Sequence, residues 1–413
     1  MRYFDFRLRA IRNIINSVKG FIKTITGVNS VTLDNCVDDD SLMGIKIYGN
    51  SVQDGTPAPD SPVEIQSVGE LVTDESDEHY GKYKIPIKAR GKNLFDINSS
   101  SLLSGTIRGT LEKIDNGFKC TCTNTYEYFR IALAFPKSIF TVGKAYSVSF
   151  DGSNIKNARV GQASSITDTS ATSKYANSNT FPFSFTYSEE ASTDYILILL
   201  YAESYETGDV IQVENIQIEE GSDATDYEAY HEQKTFNIWA NEPIRKFESA
   251  LEALNVSDCL DVKNRCIVRN VYEEVINGTV AGDWSDTYAP TIIYNKTLPA
   301  ALSYSITGER TFIISNYSVG KSQYVWFANA THNKVALGTN LYGGTTEDEL
   351  IAFIEKCNNT QPFKVFYPLL EPIEEKISIP YLPIFKGTTI YEIETSIPTS
   401  SVEVQYYSSV SDE

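Results

Sequence analysis

Six runs between Phe118 and Gly221 alternate apolar and polar residues with a period of two: "FKCTCT", "FRIALAF", "YSVSFDG", "FPFSFTY", "YILILLY" and "VIQVENIQIEEG". That period sends successive side chains to opposite faces of an extended backbone, so each run can bury one face as a strand and none as a helix. Turn-rich loops separate them at the spacing of all-β domains, and residues 92–230 therefore read as one antiparallel β-sandwich. "YILILLY" is the most continuously apolar run, which predicts a central strand. Ser153 to Asn179 is rich in Ser, Thr, Ala and Asn and reads as a long loop.

A second β-rich unit is expected over 241–375, with strands in "CIVRNVYEEVING", "YSITGERTFIISNY", "YVWFANA" and "FKVFYPL". It holds one short helix near 346–357: Thr346 followed by Glu349 makes a capping box, and Leu350, Phe353, Ile354 and Cys357 form a stripe. "RKFESALEALNV" is a weaker helix candidate. Residues 28–91 contain short strands and polar turns, too interrupted to stand alone. The C-terminal runs "TTIYEIET" and "SSVEVQYY", joined by "SIPT", read as a hairpin in 376–413 that completes this connector.

Residues 1–27 differ from the rest. Phe4, Leu8, Ile11, Ile15, Val18, Ile22 and Ile25 follow a heptad spacing, and six basic residues face Asp5 alone up to Ile25. This predicts an amphipathic N-terminal α-helix ended by Gly27, either a trimeric coiled coil or a helix lying on its own protein or on a membrane surface. The fold class is thus mainly all-β, with one helix at the N-terminus and one near 346–357.

Charge and cysteine usage narrow the function. The chain of 413 residues has a formal net charge of -19 and a pI near 4.7, which argues against a nucleic-acid partner because phosphate neutralisation needs clustered Lys and Arg. No apolar run is long enough for a membrane span. The six cysteines fit neither a zinc spacing nor a dense disulfide frame and read as reduced and structural. His79, His231 and His332 lie far apart in polar loops, no nucleophile motif accompanies them, and adjacent carboxylates such as Glu189/Glu190 or Glu273/Glu274 would point to opposite faces of a strand. No catalytic residue is nominated, and the expectation is a protein that is not an enzyme.

The stretch "GNSVQDGTPAPDSPVEIQSVGE" (49–70), stiffened by Pro57, Pro59 and Pro62, is followed by "IPIKARGKNLFD", "GDVIQVENIQIEEGSDATDYEAY", "CLDVKNRCIVRN", "TEDELIAFIEKC", "FKVFYPLLEPIEEKI" and "IPTSSVEVQYY". In that order these motifs resemble minor structural proteins of the tail tips of bacteriophages that infect Gram-positive bacteria. The segment from "GKNLFD" to "DYEAY" also looks like a jelly-roll carbohydrate-binding module. The resemblance implies a virion tail-tip or fibre protein, a homotrimer docked to other tail or baseplate proteins through its N-terminal helix, displaying sandwiches toward a bacterial surface carbohydrate.

A jelly roll that binds sugar stacks flat sugar faces on aromatic rings while polar neighbours bond the hydroxyls. Tyr126, Tyr128, Phe129 and Arg130 in "TYEYFR", with Tyr201 and Tyr205 in "LYAESYE", are the glycan-binding candidates, and Asn124, Gln162 and Glu203 are further donors or acceptors. Such modules often carry a structural calcium ion, for which Glu219, Asp223 and Asp226, beside Glu220, offer oxygen ligands in a turn, although their spacing matches no strict calcium loop. The rival readings are a purely structural baseplate or tail decoration protein, and a polysaccharide depolymerase working with two carboxylates.

Overall fold

The computed structural model describes residues 21–38, 40–55, 63–98, 103–107, 109–124, 129–165, 168, 173–188, 193–203, 206–247, 256–275, 284–288, 291–294, 313–314, 325–327, 335–338, 346–360 and 364–410. Strands dominate, and the only helix of appreciable length among the described residues is Glu347–Thr360. Its capping box is formed: the Thr346 hydroxyl accepts from Glu349 N at 3.3 Å, while the Glu349 carboxylate accepts from Thr346 N at 3.0 Å. Leu350 and Ile354 are buried on its apolar stripe.

The segment between Leu103 and Glu220 is a sandwich of two five-stranded antiparallel sheets. One sheet runs Phe183–Thr186, Ala145–Ser153, Val210–Glu220, Gly117–Cys122, Gly109–Ile114; the other runs Ser173–Ser178, Ile155–Ala163, Tyr195–Ala202, Arg130–Pro136, Leu103–Ile107. From Gly117 onward, the eight strands occupy the two sheets in the order of a jelly roll, and the two earlier strands extend one edge of each. Its core interleaves Phe118, Cys120, Ile131, Leu133 and Phe135 with Ile196, Ile198, Leu200, Ile211 and Val213. Along Val210–Glu220 the inward residues change phase, from Ile211 and Val213 to Ile216 and Ile218. Asn215 absorbs the shift in the left-handed region at φ 50°, where the pairing with Ala145–Ser153 bulges between Ser149 and Asp151. "YILILLY" is central, and its second face is also covered: Leu197, Leu199 and Tyr201 are buried with Ala132, Ala134 and Ala163.

Two of the ten strands, Ile155–Ala163 and Ser173–Ser178, fall in the stretch expected to be a loop. Small and polar residues mask the alternation there, but Ala158 and Val160 point into the core and "IKNARVGQA" pairs along its length with Tyr195–Ala202.

The rest of the described chain is organised by a curled antiparallel sheet of twelve strands. Its order is Lys234–Ala240, Tyr83–Arg90, Gly387–Ile393, Ser30–Cys36, Ser401–Ser408, Leu42–Tyr48, Cys259–Asp261, Cys266–Val275, Lys364–Lys376 and Ile313–Ile314, with Phe21–Gly27 added to Ser401–Ser408 and Glu70–Leu71 to Tyr83–Arg90. Val31, Leu33, Ile45, Ile47, Ile85, Ile87, Tyr391, Val402, Val404 and Tyr406 share its core. Cys259–Asp261, Cys266–Val275 and Lys364–Lys376, assigned from sequence to a second unit, take their places in this same sheet. A separate four-stranded sheet joins Trp284–Tyr288, Thr291–Tyr294, Val335–Gly338 and Val325–Phe327.

Three local expectations are corrected. The helix predicted for 1–27 is a strand over Phe21–Gly27, paired residue by residue with Ser401–Ser408; residues 1–20 lie outside the described residues. "FIKTIT" satisfies a heptad spacing and a period of two at once, and β-branched Ile and Thr take the extended option when an unpaired strand edge is beside them. The two C-terminal runs do not pair with each other as a hairpin, because Ser30–Cys36 lies between them. In "RKFESALEALNV", Lys246–Phe247 is a strand that pairs with Val256–Ser257, and 248–255 lie outside the described residues.

The chain passes from the curled sheet into the sandwich at Gly91–Asn93 and returns near Glu228. Asn93 is 2% exposed; its amide donates to the carbonyls of Ile216 (3.1 Å) and Glu228 (2.9 Å), and its Oδ1 accepts from Phe95 N at 2.9 Å and Ile218 N at 3.2 Å. The Glu228 carboxylate accepts from Thr388 N at 2.8 Å, from the Thr388 hydroxyl at 3.0 Å and from Lys92 Nζ at 2.9 Å. Residues of "GKNLFD" and "DYEAY" thus clasp the two ends of the sandwich to the curled sheet.

Candidate functional site

Arg130, Tyr201 and Asn157 lie side by side on three neighbouring strands of the sandwich, since Arg130 pairs with Tyr201 and Tyr201 with Asn157. The period of two that sends Ile131, Leu133 and Phe135 into the core turns Arg130, Ala132 and Ala134 to the opposite face. Arg159, two residues beyond Asn157 on its strand, shares that face.

These side chains converge on one ring. The Arg130 guanidinium lies 5.1 Å from the centre of the Tyr201 ring and that of Arg159 lies 4.9 Å from it, both within cation–π range. Arg130 Nη1 also donates to the Tyr201 hydroxyl at 2.6 Å. Arg130 is 9% exposed and Tyr201 8%. Three buried polar atoms at this spot have no hydrogen-bond partner: Arg130 Nε, Arg159 Nε and Asn157 Oδ1. No carboxylate among the described residues forms an ion pair with either guanidinium.

The other candidates are placed differently. Tyr126, Tyr128 and Tyr205 lie outside the described residues. Phe129 is 2% exposed inside the sandwich core, so its ring has no face for a sugar. Tyr201 is brought to Arg130, and its ring serves as the platform for two guanidiniums. Gln162 donates to the Tyr175 hydroxyl at 3.1 Å, and Asn124 and Glu203 are exposed. Arg159 and Asn157 escaped sequence reasoning because they sit in the stretch read as a loop; the signal was the alternation of Ala158 and Val160 around them.

Of the residues expected as calcium ligands, Glu219 is engaged by the protein itself. Glu219 is 4% exposed, and its carboxylate already accepts from Thr225 N and the Thr225 hydroxyl, both at 2.7 Å, and from Gln217 Nε2 at 2.9 Å. It holds the turn that follows its strand, while Asp223 and Asp226 are exposed. No group of three metal-ligating side chains occurs among the described residues.

A cleft of about 470 Å³ lies where the sandwich meets the curled sheet; Arg90, Thr141, Tyr146, Tyr230, His231 and Glu392 are among its lining residues. Its charges are spent on one another: Arg90 on Glu392, Lys88 on Glu394, and Glu220 on Lys144. Burial, with Asp96 and Glu232 nearby, raises the Tyr230 phenol above its ordinary value. His231 stacks on Phe385 with ring centres 4.3 Å apart, and His79 on Trp239 at 3.8 Å; His332 lies outside the described residues. Glu273 is held by Arg245 and Lys364, and Glu189 and Glu190 lie outside the described residues. The unpaired arginines therefore distinguish the Tyr201 face from the cleft.

No protein-family model, no curated protein sequence and no solved structure matches the chain. No helix among the described residues is long and apolar enough to cross a membrane.

Proposed function

We propose that this chain is a non-catalytic component of a bacteriophage tail tip whose jelly-roll sandwich binds a glycan on the bacterial surface. The motif order from "GNSVQDGTPAPDSPVEIQSVGE" to "IPTSSVEVQYY" supports the tail-tip part. The observation that carries the binding part is the jelly-roll strand order of the sandwich from Gly117 onward, which sets Arg130, Tyr201 and Arg159 together on one sheet face. Weak contacts at one such site become useful when copies are held together on a virion, because linkage raises the effective concentration of the later contacts. A homotrimer would supply three sites, and static light scattering on the purified chain tests that state.

Adsorption of the purified protein to host cell walls, together with a glycan array, tests the binding itself. Retention on walls and on at least one glycan class is expected. Absence of binding in both assays overturns the proposal in favour of a purely structural tail component, and release of reducing ends from wall polysaccharide would make it a depolymerase.

A further inference from the structure

We infer that copies of this chain associate head to tail, with the acidic loop 72–82 of one copy seated in a groove of the next that carries Lys263, Arg265 and Tyr381. The inference rests on the homotrimer of the reading above and is independent of its glycan-binding part.

A ring of three copies has no two-fold axis between neighbours, so each copy must carry two different patches that fit one another. In a chain of net charge -19 most surfaces repel their like, and a contact between copies is favoured where cations stand without carboxylates.

The groove, of about 250 Å³, lies beside the turn that joins Cys259–Asp261 to Cys266–Val275. Its floor is apolar, with Leu42 half-buried and Ile379 and Leu382 buried, and Tyr381 in its lining is 70% exposed. Lys263 and Arg265, both exposed, line it from the turn. Asp261, two residues before Lys263, accepts from Asn264 N at 3.0 Å and Asn264 Nδ2 at 2.9 Å, and neither cation forms an ion pair among the described residues. Asp40 is the single carboxylate of the lining, so the groove keeps a net positive charge.

The loop is the complementary patch. It carries four carboxylates in five residues, Asp74, Glu75, Asp77 and Glu78, and is closed by Gly81 N donating to Val72 O at 3.0 Å and Val72 N to Lys82 O at 2.9 Å. Asp74 and Asp77 are spent inside it, accepting from Ser76 N at 2.9 Å and His79 N at 2.8 Å. Glu75 is exposed, the Glu78 side chain is 87% exposed, and no lysine or arginine pairs with any of the four. Tyr80, two residues beyond Glu78, is 54% exposed. A loop already fixed by its own hydrogen bonds loses little freedom on docking, so the Tyr80 ring can cover the apolar floor beside Tyr381 while Glu78 meets Lys263 or Arg265. Within its own copy the loop is pinned elsewhere: Lys82 donates to Asn241, and the His79 ring stacks on Trp239 at 3.8 Å.

Sedimentation equilibrium of the full-length protein over a concentration series tests the contact, at about 0.15 M salt, where repulsion between distant charges of the two acidic copies is screened. Masses above the monomer are expected. Lys263→Glu and Glu78→Lys should each weaken association at least tenfold, with the melting temperature of the dilute protein unchanged, because neither side chain pairs with a fixed charge in its own copy. Mixing the two variants, or combining both changes in one chain, should restore association, since opposite charges then meet again. Masses unaffected by either variant would place the contact elsewhere, overturning the inference and leaving the homotrimer standing; a monomer at every concentration would end both. Unchanged association with weakened adsorption of Lys263→Glu to host walls would give the groove a different occupant and overturn the inference as well.

Discussion

Asn29 and Thr399 exchange hydrogen bonds across 370 positions of the chain: Asn29 N donates to the Thr399 hydroxyl at 3.2 Å, and Thr399 N donates to Asn29 Oδ1 at 2.7 Å. Asn29 occupies the left-handed region at φ 60°, and its carbonyl accepts from Ile393 N at 2.6 Å. The turn between Phe21–Gly27 and Ser30–Cys36 is thereby locked to the "SIPT" connection. Thr399→Val, which keeps the shape and loses the hydroxyl, removes the acceptor of the half-buried Asn29 amide and should cost about 0.5–1.5 kcal/mol in urea unfolding. Asn29→Gly keeps the backbone geometry and should cost less than Asn29→Ala, which loses both.

Gly387 and Glu228 form the corresponding lock between the sandwich and the curled sheet. A Cβ at Gly387, where φ is 90°, would lie 2.7 Å from the Glu228 carboxyl carbon. Gly387→Ala should therefore destabilise by about 1–3 kcal/mol through backbone strain and this clash. Glu228→Ala removes the clash along with its bonds to Thr388 and Lys92, so the double variant should be less destabilised than the two single losses added together. Thermal unfolding of the four proteins measures that coupling; simple additivity would show that the two residues act independently.

Asp258 organises the ionic group beneath Cys266–Val275. Its side chain is 0% exposed and accepts from Arg269 Nη1 at 3.2 Å, Arg245 N at 3.0 Å, Asn270 N at 2.8 Å and Val271 N at 2.9 Å. Asp258→Ala leaves three backbone N–H donors without a partner and removes one of the two carboxylates that meet Arg269, and should cost about 3–5 kcal/mol or prevent folding. The expression yield of soluble protein and the denaturant midpoint report the effect.

The curled sheet should fail in alkali. Burial pushes the Cys36 and Cys259 thiols from 9.0 up to about 12. A raised value in the folded state means that the folded chain holds its proton more tightly, so the associated stability is complete below about pH 9 and is lost as pH rises toward 12. Each thiol then contributes a decline of up to about 1.4 kcal/mol per pH unit across that window. Burial also holds the Tyr367 and Tyr391 phenols above their ordinary range, which acts in the same sense. Urea midpoints should be level from pH 7 to 8.5 and fall by pH 11, and both thiols should resist alkylation at pH 8 until the protein unfolds.

Phe21–Gly27 covers one edge of Ser401–Ser408 over seven residues. A version lacking residues 1–27 should melt below one lacking residues 1–20 and should self-associate with increasing concentration, because the shorter protein exposes an unpaired strand edge. Equal melting temperatures would show that this strand contributes no stability.

The alternation of "FRIALAF", "YILILLY" and "VIQVENIQIEEG" determined by itself that these segments are strands and which of their residues enter the core; even the bulge at Asn215 is legible as a change of phase. The capping box at Thr346 and Glu349 is equally local and was readable from four residues. Strand partners were not, because backbone N–H and C=O groups pair alike whatever side chain they carry. Only the tertiary structure placed Ser30–Cys36 between the two C-terminal runs, took "FIKTIT" out of a helix and onto Ser401–Ser408, and turned part of a polar loop into the strand that brings Arg159 to Tyr201. Period decides which way a side chain faces; proximity across a sheet depends on register with a distant segment, and it is that register which assembled the arginine site.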